Sequence, residues 1–428
     1  MNANARAIHP QNLPAGGLDA WLRRRAMRTL DNLQHGCLRL HEGAEMHRFG
    51  NRSAAEPIDV QVRRPRFWRQ LALGGGSGVG GSYIEGDWDC DDLTGLLRLM
   101  LRNRSALGRV EAGAARAGAW LLRQWHARNR NTRAGSARNI AAHYDLGNEL
   151  FRLFLDDDLQ YSSAVFETPD ISLEQAQRDK LDRIGRKLDL KPQHHLLEIG
   201  TGWGGLAIHM AREYGCRVTT TTLSREQLEL ARQRVADAGL ADRVTVLCSD
   251  YRALRVDPSA AYDRLVSVEM VEAVGHQYLD TFFERCSSLL AADGLMLLQA
   301  ITIEDCRYRE ALERVDFIKR FVFPGSFIPC VSELTGAAAR ASDLRLTHLE
   351  DIGPSYAQTL SHWRRRFEGN RQAVRRLGYQ ESFVRLWRFY LSYCEAGFHE
   401  RTIGDAQMLF VKPGNRRAPL LTPLGALA

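Results

Sequence analysis

The feature that most constrains this chain is Leu196–Gly205, a short apolar stretch that ends in closely spaced glycines. Such a run predicts a buried parallel strand, a sharp turn and the start of a helix. Gly200, Gly202 and Gly204 lack side chains, which lets the backbone turn and approach a ligand. The spacing is not the G-x-G-x-x-G pyrophosphate fingerprint. With Glu198 just before the first glycine, it favours a ligand without phosphates, usually S-adenosylmethionine (SAM); a purely structural turn is the alternative.

The residues on either side of this turn alternate between strand and helix patterns. Strands are predicted at 195–199, 217–223, 244–249, 263–270 and 294–302, and helices at 204–214, 224–238 and 277–291. This rhythm predicts an α/β domain with a doubly wound, mostly parallel sheet that binds its ligand at the carboxyl ends of the strands. Runs at 344–352 and 407–412 predict a hairpin-like pair that completes the sheet. Helical insertions at 303–343 and 357–400 are too long for connections and predict a lid or a substrate cavity.

The first third of the chain predicts a smaller α+β domain. A basic helix at 20–35 precedes a small sheet across 36–93, whose glycine turns include Leu73–Gly81, and helices follow at 93–104 and 108–130. The predicted boundaries are a disordered tail at 1–20, the basic domain at 21–130, a linker at 131–138, the α/β domain at 139–413 and a tail at 414–428.

Charge is concentrated in the same part of the chain. The formal net charge is +7, yet residues 1–140 hold 22 Lys and Arg against 12 Asp and Glu, and 101–140 hold nine Arg and one Glu. A basic patch favours anionic partners, either lipid headgroups or nucleic acid. A solvated pair of arginine-rich helices is the alternative.

Composition narrows the class of protein further. The chain has no run of eighteen apolar residues and no charged-then-apolar signal pattern, so we expect a cytoplasmic protein without a membrane span. Its eight cysteines are scattered without metal-ligand spacing, which predicts reduced thiols and no metal site.

Polar residues follow the later predicted strands. Thr222 and Gln227 replace the acid that usually binds the ribose, and Ser224 is also a helix cap with Gln227 as its partner. Asp250 offers a carboxylate for the adenine amine, or is only a turn former. Glu269 and Glu272 lie in an otherwise apolar segment, and at least one should face the site because buried carboxylates need partners.

Several motifs occur in one order along the chain. They are His-Tyr-Asp-Leu-Gly-Asn at 143–148, Gln-Tyr-Ser at 160–162, Glu-Ile-Gly-Thr-Gly-Trp-Gly-Gly at 198–205, Thr-Leu-Ser-Arg-Glu-Gln at 222–227 and Glu-Ala-Val-Gly at 272–275. In this order and spacing the chain resembles the cyclopropane-fatty-acyl-phospholipid synthase family. The resemblance runs from about residue 36 to 412 and includes Gly86-Asp87-Trp88 and the Phe323-Pro324-Gly325 turn.

The resemblance implies a reaction on lipid. The family transfers the SAM methyl group to a cis double bond of a phospholipid acyl chain, and bound bicarbonate removes a proton from the new methyl to close a cyclopropane ring. The glycine run and the resemblance together predict a SAM site made of Tyr161, Ser162, Glu198, Gly200, Gly202, Trp203, Gly204, Thr222, Leu223, Gln227, Asp250 and Tyr251. The resemblance implies a bicarbonate site made of Ser163, Glu272, Gln299, Ile301 and Tyr356.

One cysteine matches the family's pattern, and three other positions depart from it. Cys394 matches a cysteine often treated as the active-site residue of the family, but this chemistry needs no nucleophile, so we expect it to pack near the cavity. Ser163 and Thr201 stand where cysteine is usual, and Gln299 where many members have histidine. A hydroxyl and an amide still hydrogen-bond an anion, so ring closure is the favoured outcome. Loss of a different proton, giving a methylene or methyl-branched chain, is the alternative.

A carbocation also needs an apolar or aromatic cavity without water. The insertions supply Phe317, Phe321, Phe323, Trp363, Phe367, Trp387, Phe389 and Tyr390, although such residues are mostly ordinary core.

The sequence therefore predicts a SAM-dependent enzyme that acts on unsaturated phospholipid acyl chains at the inner face of a membrane. A homodimer is left open. The rivals are a small-molecule or acyl-carrier methyltransferase and a non-catalytic lipid-binding protein on the same fold. Nucleic-acid methylation fits poorly, because no N-P-P-Y-type motif is present.

Overall fold

The computed structural model describes residues 17–51, 56–107, 147–255, 260–418 and 420, which form two compact units. The first unit contains the described residues up to 107 together with Tyr379–Ala396, which we had predicted as part of an insertion in the second domain. The second unit contains the described residues of 147–378 and those from Gly397 onward. The predicted linker, the 108–130 helix and most of both tails lie outside the described residues, so these boundaries stay predictions.

The first unit is an α+β assembly around a small sheet. Its elements are α1 (Gly17–Leu30), β1 (Cys37–Glu42), β2 (Glu45–Gly50), β3 (Ile58–Val62), α2 (Arg66–Ile84), β4 (Trp88–Cys90), α3 (Leu93–Arg102) and α4 (Arg104–Leu107). The strands run in the order β2-β1-β3-β4, with β1 antiparallel to β2 and parallel to β3. Arg385, on the segment from 379 to 396, donates to the carbonyl oxygens of Tyr83 and Trp88 and to the carboxylate of Asp89. These bonds fix that segment to β4 and to the end of α2.

One prediction for this unit is wrong. The glycine-rich stretch Leu73–Gly81 lies inside α2 and does not form the turns of a sheet. The helix is interrupted at Gly75, whose φ of 51° and ψ of −140° are readily adopted only by glycine. A Cβ atom on Gly78 would lie 2.1 Å from the carbonyl oxygen of Gln70. The glycines therefore allow the helix to bend and its two halves to pack closely.

The second unit alternates helices and strands as predicted. Its elements are α5 (Asn148–Arg152), α6 (Leu173–Lys187), β5 (His195–Ile199), α7 (Gly205–Glu213), β6 (Arg217–Thr222), α8 (Arg225–Asp237), β7 (Val244–Cys248), β8 (Tyr262–Val268), α9 (Leu279–Leu289), β9 (Leu290–Ile303), α10 (Tyr308–Glu313), α11 (Phe317–Phe321), α12 (Val331–Ala341), β10 (Arg345–Asp351), α13 (Gly353–Gly369), α14 (Arg371–Arg376) and β11 (Ile403–Val411). One further helix, α15 (Glu381–His399), begins in the first unit and ends in the second.

The sheet of the second unit has seven strands in the order β10-β11-β9-β8-β5-β6-β7. The five strands from β9 to β7 are parallel, while β11 is antiparallel to both β9 and β10. This confirms the doubly wound, mostly parallel sheet and its hairpin-like end. The strand order reverses beside β5, and ligands of such sheets bind outside the carboxyl ends of the strands at that point.

Apolar side chains cover both faces of this sheet. Along β5, Leu197 and Ile199 pack into one buried layer with Phe282. The intervening Leu196 packs into the opposite layer with Leu206. Burial on both faces is what a parallel sheet between two helical layers requires. Within the described ranges, no helix is long and apolar enough to cross a membrane.

Candidate functional site

A cavity opens at the carboxyl ends of β5, β6 and β8, beside the glycine turn. Of the twelve predicted SAM-site residues, Gly204 is the exception that does not line it, and the others do: Tyr161, Ser162, Glu198, Gly200, Gly202, Trp203, Thr222, Leu223, Gln227, Asp250 and Tyr251. A Cβ atom on Gly204 would lie 3.2 Å from Cβ of Ala231, so this glycine allows α7 and α8 to pack closely. The sequence pattern therefore predicted one continuous cavity wall.

Two glycines of the turn serve different purposes. Gly202 has a φ of +52°, and a Cβ atom built on it would meet no atom within 4 Å, so its missing side chain leaves part of the cavity open. A Cβ atom on Gly205 would lie 2.2 Å from Nε2 of Gln160 and 2.6 Å from the carbonyl oxygen of Asp158. The turn thus makes space for a ligand and also lets the segment around Gln160 approach the start of α7.

Glu198, the second-last residue of β5, is buried and lines the cavity. Its Oε2 atom has no hydrogen-bond partner. Burial raises the pKa of Glu198 to about 8, against the opposing effects of a hydrogen bond with Thr220 and the charge of Lys180. An unpaired carboxyl oxygen in this position suits a ligand that carries positive charge, because a buried polar group left without a partner is costly.

The polar residues after β6 form a small network. Oγ of Ser224 accepts a hydrogen bond from the backbone N–H of Gln227 at 3.2 Å, which confirms the predicted helix cap. The hydroxyl of Thr222 donates to Oε1 of Gln227 at 2.8 Å, so the amide N–H groups of Gln227 are not used by that bond. Capping and ligand contact are therefore compatible here.

Asp250 follows β7 and also has two structural tasks. It caps a short turn by accepting from the backbone N–H of Arg252, and it forms an ion pair with the Arg252 side chain at 2.6 Å. Tyr251 is buried against Phe282, and its hydroxyl has no hydrogen-bond partner. Asp250 therefore forms the turn and also lines the cavity, with its charge balanced by Arg252, and its contact with adenine stays a prediction.

A second polar cluster surrounds Glu269, which directly follows β8 and also lines the cavity. Its Oε1 accepts from the backbone N–H of Ser163 at 2.8 Å and from Nε2 of Gln299 at 2.9 Å. Its Oε2 accepts from the hydroxyl of Tyr356 at 2.5 Å. Three residues that the sequence assigned to bicarbonate thus bind a carboxylate of the protein itself.

The amide of Gln299 is oriented by a chain of buried polar contacts. Its Oε1 accepts from Nε2 of Gln407 at 3.0 Å, which directs its own N–H groups toward Glu269 and Asp405. Oε1 of Gln407 in turn accepts from Lys187, which is paired with Glu350 at 2.6 Å. Gln299 therefore presents a donor, not an acceptor, to Glu269.

Glu272 lies on the next turn of the same segment. Its Oε1 accepts from the backbone N–H of Ile301 at 2.6 Å, and its Oε2 has no hydrogen-bond partner. Burial and the neighbouring Glu269 raise the pKa of Glu272 to about 8. The sequence also allows Glu272 merely to cap the following helix or to pair with an arginine, and these contacts support neither role.

A bicarbonate ion at this cluster would need hydrogen-bond donors from the protein. Tyr356, Gln299 and Ser163 already donate to Glu269. A further anion would need the same donors and would face the carboxyl groups of Glu269 and Glu272. Bicarbonate carries a proton that it could donate to Glu272, but the donors that its other oxygens need are bonded to Glu269, and the N–H of Ile301 is bonded to Glu272. The residues present therefore do not fit a separate bicarbonate ion.

The aromatic rings of Tyr161 and Trp203 line the cavity, and further aromatic rings pack against them. Tyr161 packs against Trp363 with ring centroids 5.3 Å apart, and Trp203 packs against Phe151 at 4.8 Å. Of the predicted aromatic residues, Trp387, Phe389 and Tyr390 belong to the first unit, as does the half-buried Cys394. The predicted place of Cys394 beside the cavity stays a prediction.

Sequence reasoning missed two titratable members of the cluster, Lys180 and Asp405. Lys180, on α6, is fully buried and donates through Nζ to Gln160 and Ser162. Asp405, on β11, is fully buried beside Gln299. Both interrupt apolar faces of their elements, and that interruption is the signal that could have identified them. In the part of the chain that the structure describes, no group of three or more His, Cys, Asp or Glu could hold a metal ion.

The chain is similar in sequence to known cyclopropane synthases and fatty-acid methyltransferases. Residues 131–408 match the family model described as mycolic acid cyclopropane synthetase. The tuberculostearic acid methyltransferase of Mycobacterium tuberculosis is 36% identical over 378 residues, covering 84% of this chain and 85% of that protein. The cyclopropane-fatty-acyl-phospholipid synthase of Escherichia coli K12 is 34% identical over 372 residues, covering 84% of this chain and 89% of that protein.

The chain is also similar to a solved structure. The crystal structure of a mycolic acid cyclopropane synthase complexed with SAH and CTAB superposes with a TM-score of 0.60 at 32% identity. It covers 64% of this chain and 98% of its own. The fold is thus that of SAM-dependent methyltransferases.

Proposed function

Because this chain belongs to the mycolic acid cyclopropane synthetase family, we propose that it is a SAM-dependent enzyme that converts cis double bonds of unsaturated phospholipid acyl chains into cyclopropane rings. The observation that carries the proposal is the cavity itself. It joins the open glycine turn and the unpaired oxygen of Glu198 to the hydrogen-bonded carboxylate of Glu269. A site for a cationic methyl donor is therefore continuous with a group that can take a proton.

The residues of the cavity fit SAM. Gly202 leaves space where the backbone turns, Glu198 offers an acceptor for a cationic group, and Gln227 and Asp250 lie where ribose and adenine contacts are expected. When bound, SAM supplies an electrophilic methyl group and leaves as S-adenosylhomocysteine with the electrons of the broken carbon–sulfur bond. The protein's part is to hold donor and double bond in line and to keep water out.

The aromatic side chains suit the cationic stage of this reaction. Methyl transfer leaves the neighbouring acyl carbon positive, and ring faces attract a cation within about 6 Å. Tyr161 and Trp203 line the cavity, and Trp363 packs directly behind Tyr161. These side chains can stabilise positive charge without supplying a nucleophile that would trap it.

The substrate is proposed to be reached at a membrane surface. The arginine-rich stretch at 101–140 carries the positive charge that anionic headgroups attract, and the enzyme would act as a peripheral protein on the inner face of the membrane. Among the relatives, the Escherichia coli protein is named as acting on fatty acyl phospholipid, which supports the same substrate class here.

A second candidate product is a methylene or methyl-branched chain. It is favoured by the 36% identity to a protein named as a tuberculostearic acid methyltransferase. The same cation gives a methyl-branched alkene when a proton is lost from the neighbouring chain carbon, and a methylene chain when a 1,2-hydride shift precedes loss of a methyl proton. A saturated methyl branch would need a separate reductant in a later step. Both outcomes need the same cavity and the same methyl donor.

One experiment tests the proposal and separates the products. The protein is incubated with SAM and vesicles of an unsaturated phosphatidylglycerol, and the released fatty acids are analysed by gas chromatography and proton NMR. Ring protons support cyclopropane formation, whereas olefinic CH₂ or branch-methyl signals support the second candidate. Unmodified fatty acids, with SAM bound but not consumed, would favour a non-catalytic lipid-binding protein.

A further inference from the structure

We propose, on the basis of the function proposed above, that the carboxylate of Glu269 is the base that removes the proton during ring closure, in place of a bound bicarbonate ion. Glu269 would thus be a catalytic residue supplied by the chain itself. The enzyme would need no dissolved carbonate for activity.

The first argument is the convergence of donors. The N–H of Ser163, the amide of Gln299 and the hydroxyl of Tyr356 come from three separate parts of the second unit and all bind Glu269. A carboxylate has the same planar pair of oxygens as bicarbonate and accepts the same hydrogen bonds. The three donors that could bind bicarbonate are therefore already bonded to the carboxylate of Glu269.

The second argument is the backbone of Glu269. Its φ of 46° lies in the left-handed region, which side-chain-bearing residues rarely adopt. Such conformations persist where the surrounding structure requires them, and they cluster at functional sites. Here the unusual backbone turns the carboxylate into the cavity immediately after β8.

The third argument is charge. Among the residues that the structure describes, the titratable groups that act on Glu269 include Glu272 on its own segment, Asp405 on β11, Tyr356 on α13 and Lys180 on α6. Burial and the neighbouring carboxylates raise the pKa of Asp405 well above its usual range, which favours its neutral form beside Glu269. Burial also raises the pKa of Glu269, whereas the bonds from Tyr356 and Ser163 and the charge of Lys180 favour its ionised form. The three hydrogen bonds that Glu269 accepts stabilise it as an anion.

The step balances with this base. The double bond uses its electron pair to bind the incoming methyl group, and the adjacent acyl carbon becomes positive. Glu269 takes one proton from that methyl group, and the electrons of the broken C–H bond form the third side of the ring. The proton on Glu269 is then released to solvent when product leaves, which restores the carboxylate.

The test compares bicarbonate dependence in the wild type, two variants of Glu269 and one control variant, all as the full chain. Ring formation from SAM and unsaturated vesicles is measured in CO₂-free buffer and again with added bicarbonate. The wild type should be equally active in both buffers. Glu269→Gln should bind SAM normally but lose ring formation by about 10²-fold or more, the usual contribution of a general base. Glu284→Gln, an exposed acid on α9, is the matched control and should behave as wild type.

The second variant of Glu269 distinguishes a catalytic base from a carboxylate that has only a structural role. Glu269→Gly removes the side chain, relieves the left-handed backbone and leaves the three donors free. It should be inactive in CO₂-free buffer and should regain ring formation when bicarbonate is added. A merely structural role would not produce this rescue.

The outcomes that would overturn the inference are distinct from failure of the proposed function. Wild-type activity that disappears in CO₂-free buffer, or full ring formation by Glu269→Gln, would overturn the role of Glu269 while leaving the enzyme activity established. A wild type that modifies no lipid in either buffer would overturn the proposed function, and the role of Glu269 with it.

Discussion

The hydroxyl of Tyr356 donates to Oε2 of Glu269 at 2.5 Å and so joins α13 to the segment that follows β8. The two residues are 87 positions apart in the chain. This bond fixes the carboxylate in one orientation and stabilises its charge. Tyr356 is therefore a positioning residue for Glu269.

Removing this hydroxyl should slow the reaction without affecting the methyl donor. A hydrogen bond to a charged group contributes about 1.5–3 kcal/mol, so Tyr356→Phe should reduce kcat roughly 10- to 150-fold. SAM affinity should not change, because Tyr356 does not line the SAM part of the cavity. Steady-state kinetics and calorimetry measure the two effects. Tyr308→Phe, another buried tyrosine of the second unit, is the control, and an equal loss in that variant would contradict the prediction.

The glycine turn gives a prediction about SAM binding. Gly202→Val should abolish detectable SAM binding, because the new side chain enters the open space beside the turn. Gly239→Val is a matched control, since Gly239 also has a positive φ, of +68°, and no atom within 4 Å of a built Cβ. Both variants carry similar backbone strain, but the control should keep wild-type affinity. Equal SAM affinity in the two variants by calorimetry would show that the turn is only structural.

Glu198 gives a prediction about pH. Its pKa of about 8 means that the carboxyl is largely protonated at pH 6 and ionised at pH 9. SAM affinity of the wild type should therefore rise with pH across this range. Glu198→Gln should lack the rise and bind about tenfold more weakly at pH 9, a difference of about 1.4 kcal/mol. Glu229→Gln, an exposed acid on α8, should retain the wild-type pH profile.

The same group affects the stability of the protein without ligand. The folded state holds the Glu198 proton between the ordinary pKa of 4.5 and the raised value of about 8, and the unfolded state does not. The contribution of Glu198 to stability is therefore present below pH 4.5 and declines as pH rises to about 8. Urea unfolding of Glu198→Gln should show a smaller decline than wild type across that window. A larger decline in the variant would mean that the assigned pKa direction is wrong.

The arginine-rich stretch gives a prediction about membrane binding. Each basic residue near an anionic surface contributes roughly 1 kcal/mol, so charge reversal at Arg123, Arg128 and Arg130 should weaken binding to anionic vesicles strongly. Binding of the wild type should also weaken with salt. The control reverses exposed arginines of the second unit, namely Arg212, Arg217 and Arg345. Salt-independent binding in vesicle sedimentation, or an equal loss in both triple variants, would exclude a specific role for this stretch.

The fold of the second unit was predictable because its signals are local. Strand β5 ends in the glycines that start α7, and the apolar runs on either side fix the alternation of strands and helices within a few residues. The same holds for the cavity wall, since Thr222, Gln227 and Asp250 all follow strands that must end at one edge of the sheet. The glycine-rich part of α2 was mispredicted, because a helix that bends at Gly75 has no local pattern that distinguishes it from a turn.

The separate roles of Glu269 and Glu272 were decided only by the tertiary structure. The sequence placed Glu269 and Glu272 in one apolar segment and required that at least one face the site. It could not show that Ser163, Gln299 and Tyr356 converge on Glu269, because these residues come from different elements and meet only when the sheet and α13 pack together. It also could not show that Lys180 and Asp405 belong to this cluster. Hydrogen bonds between distant residues depend on the packed geometry, so the sequence determined which groups were present and the fold decided which of them meet.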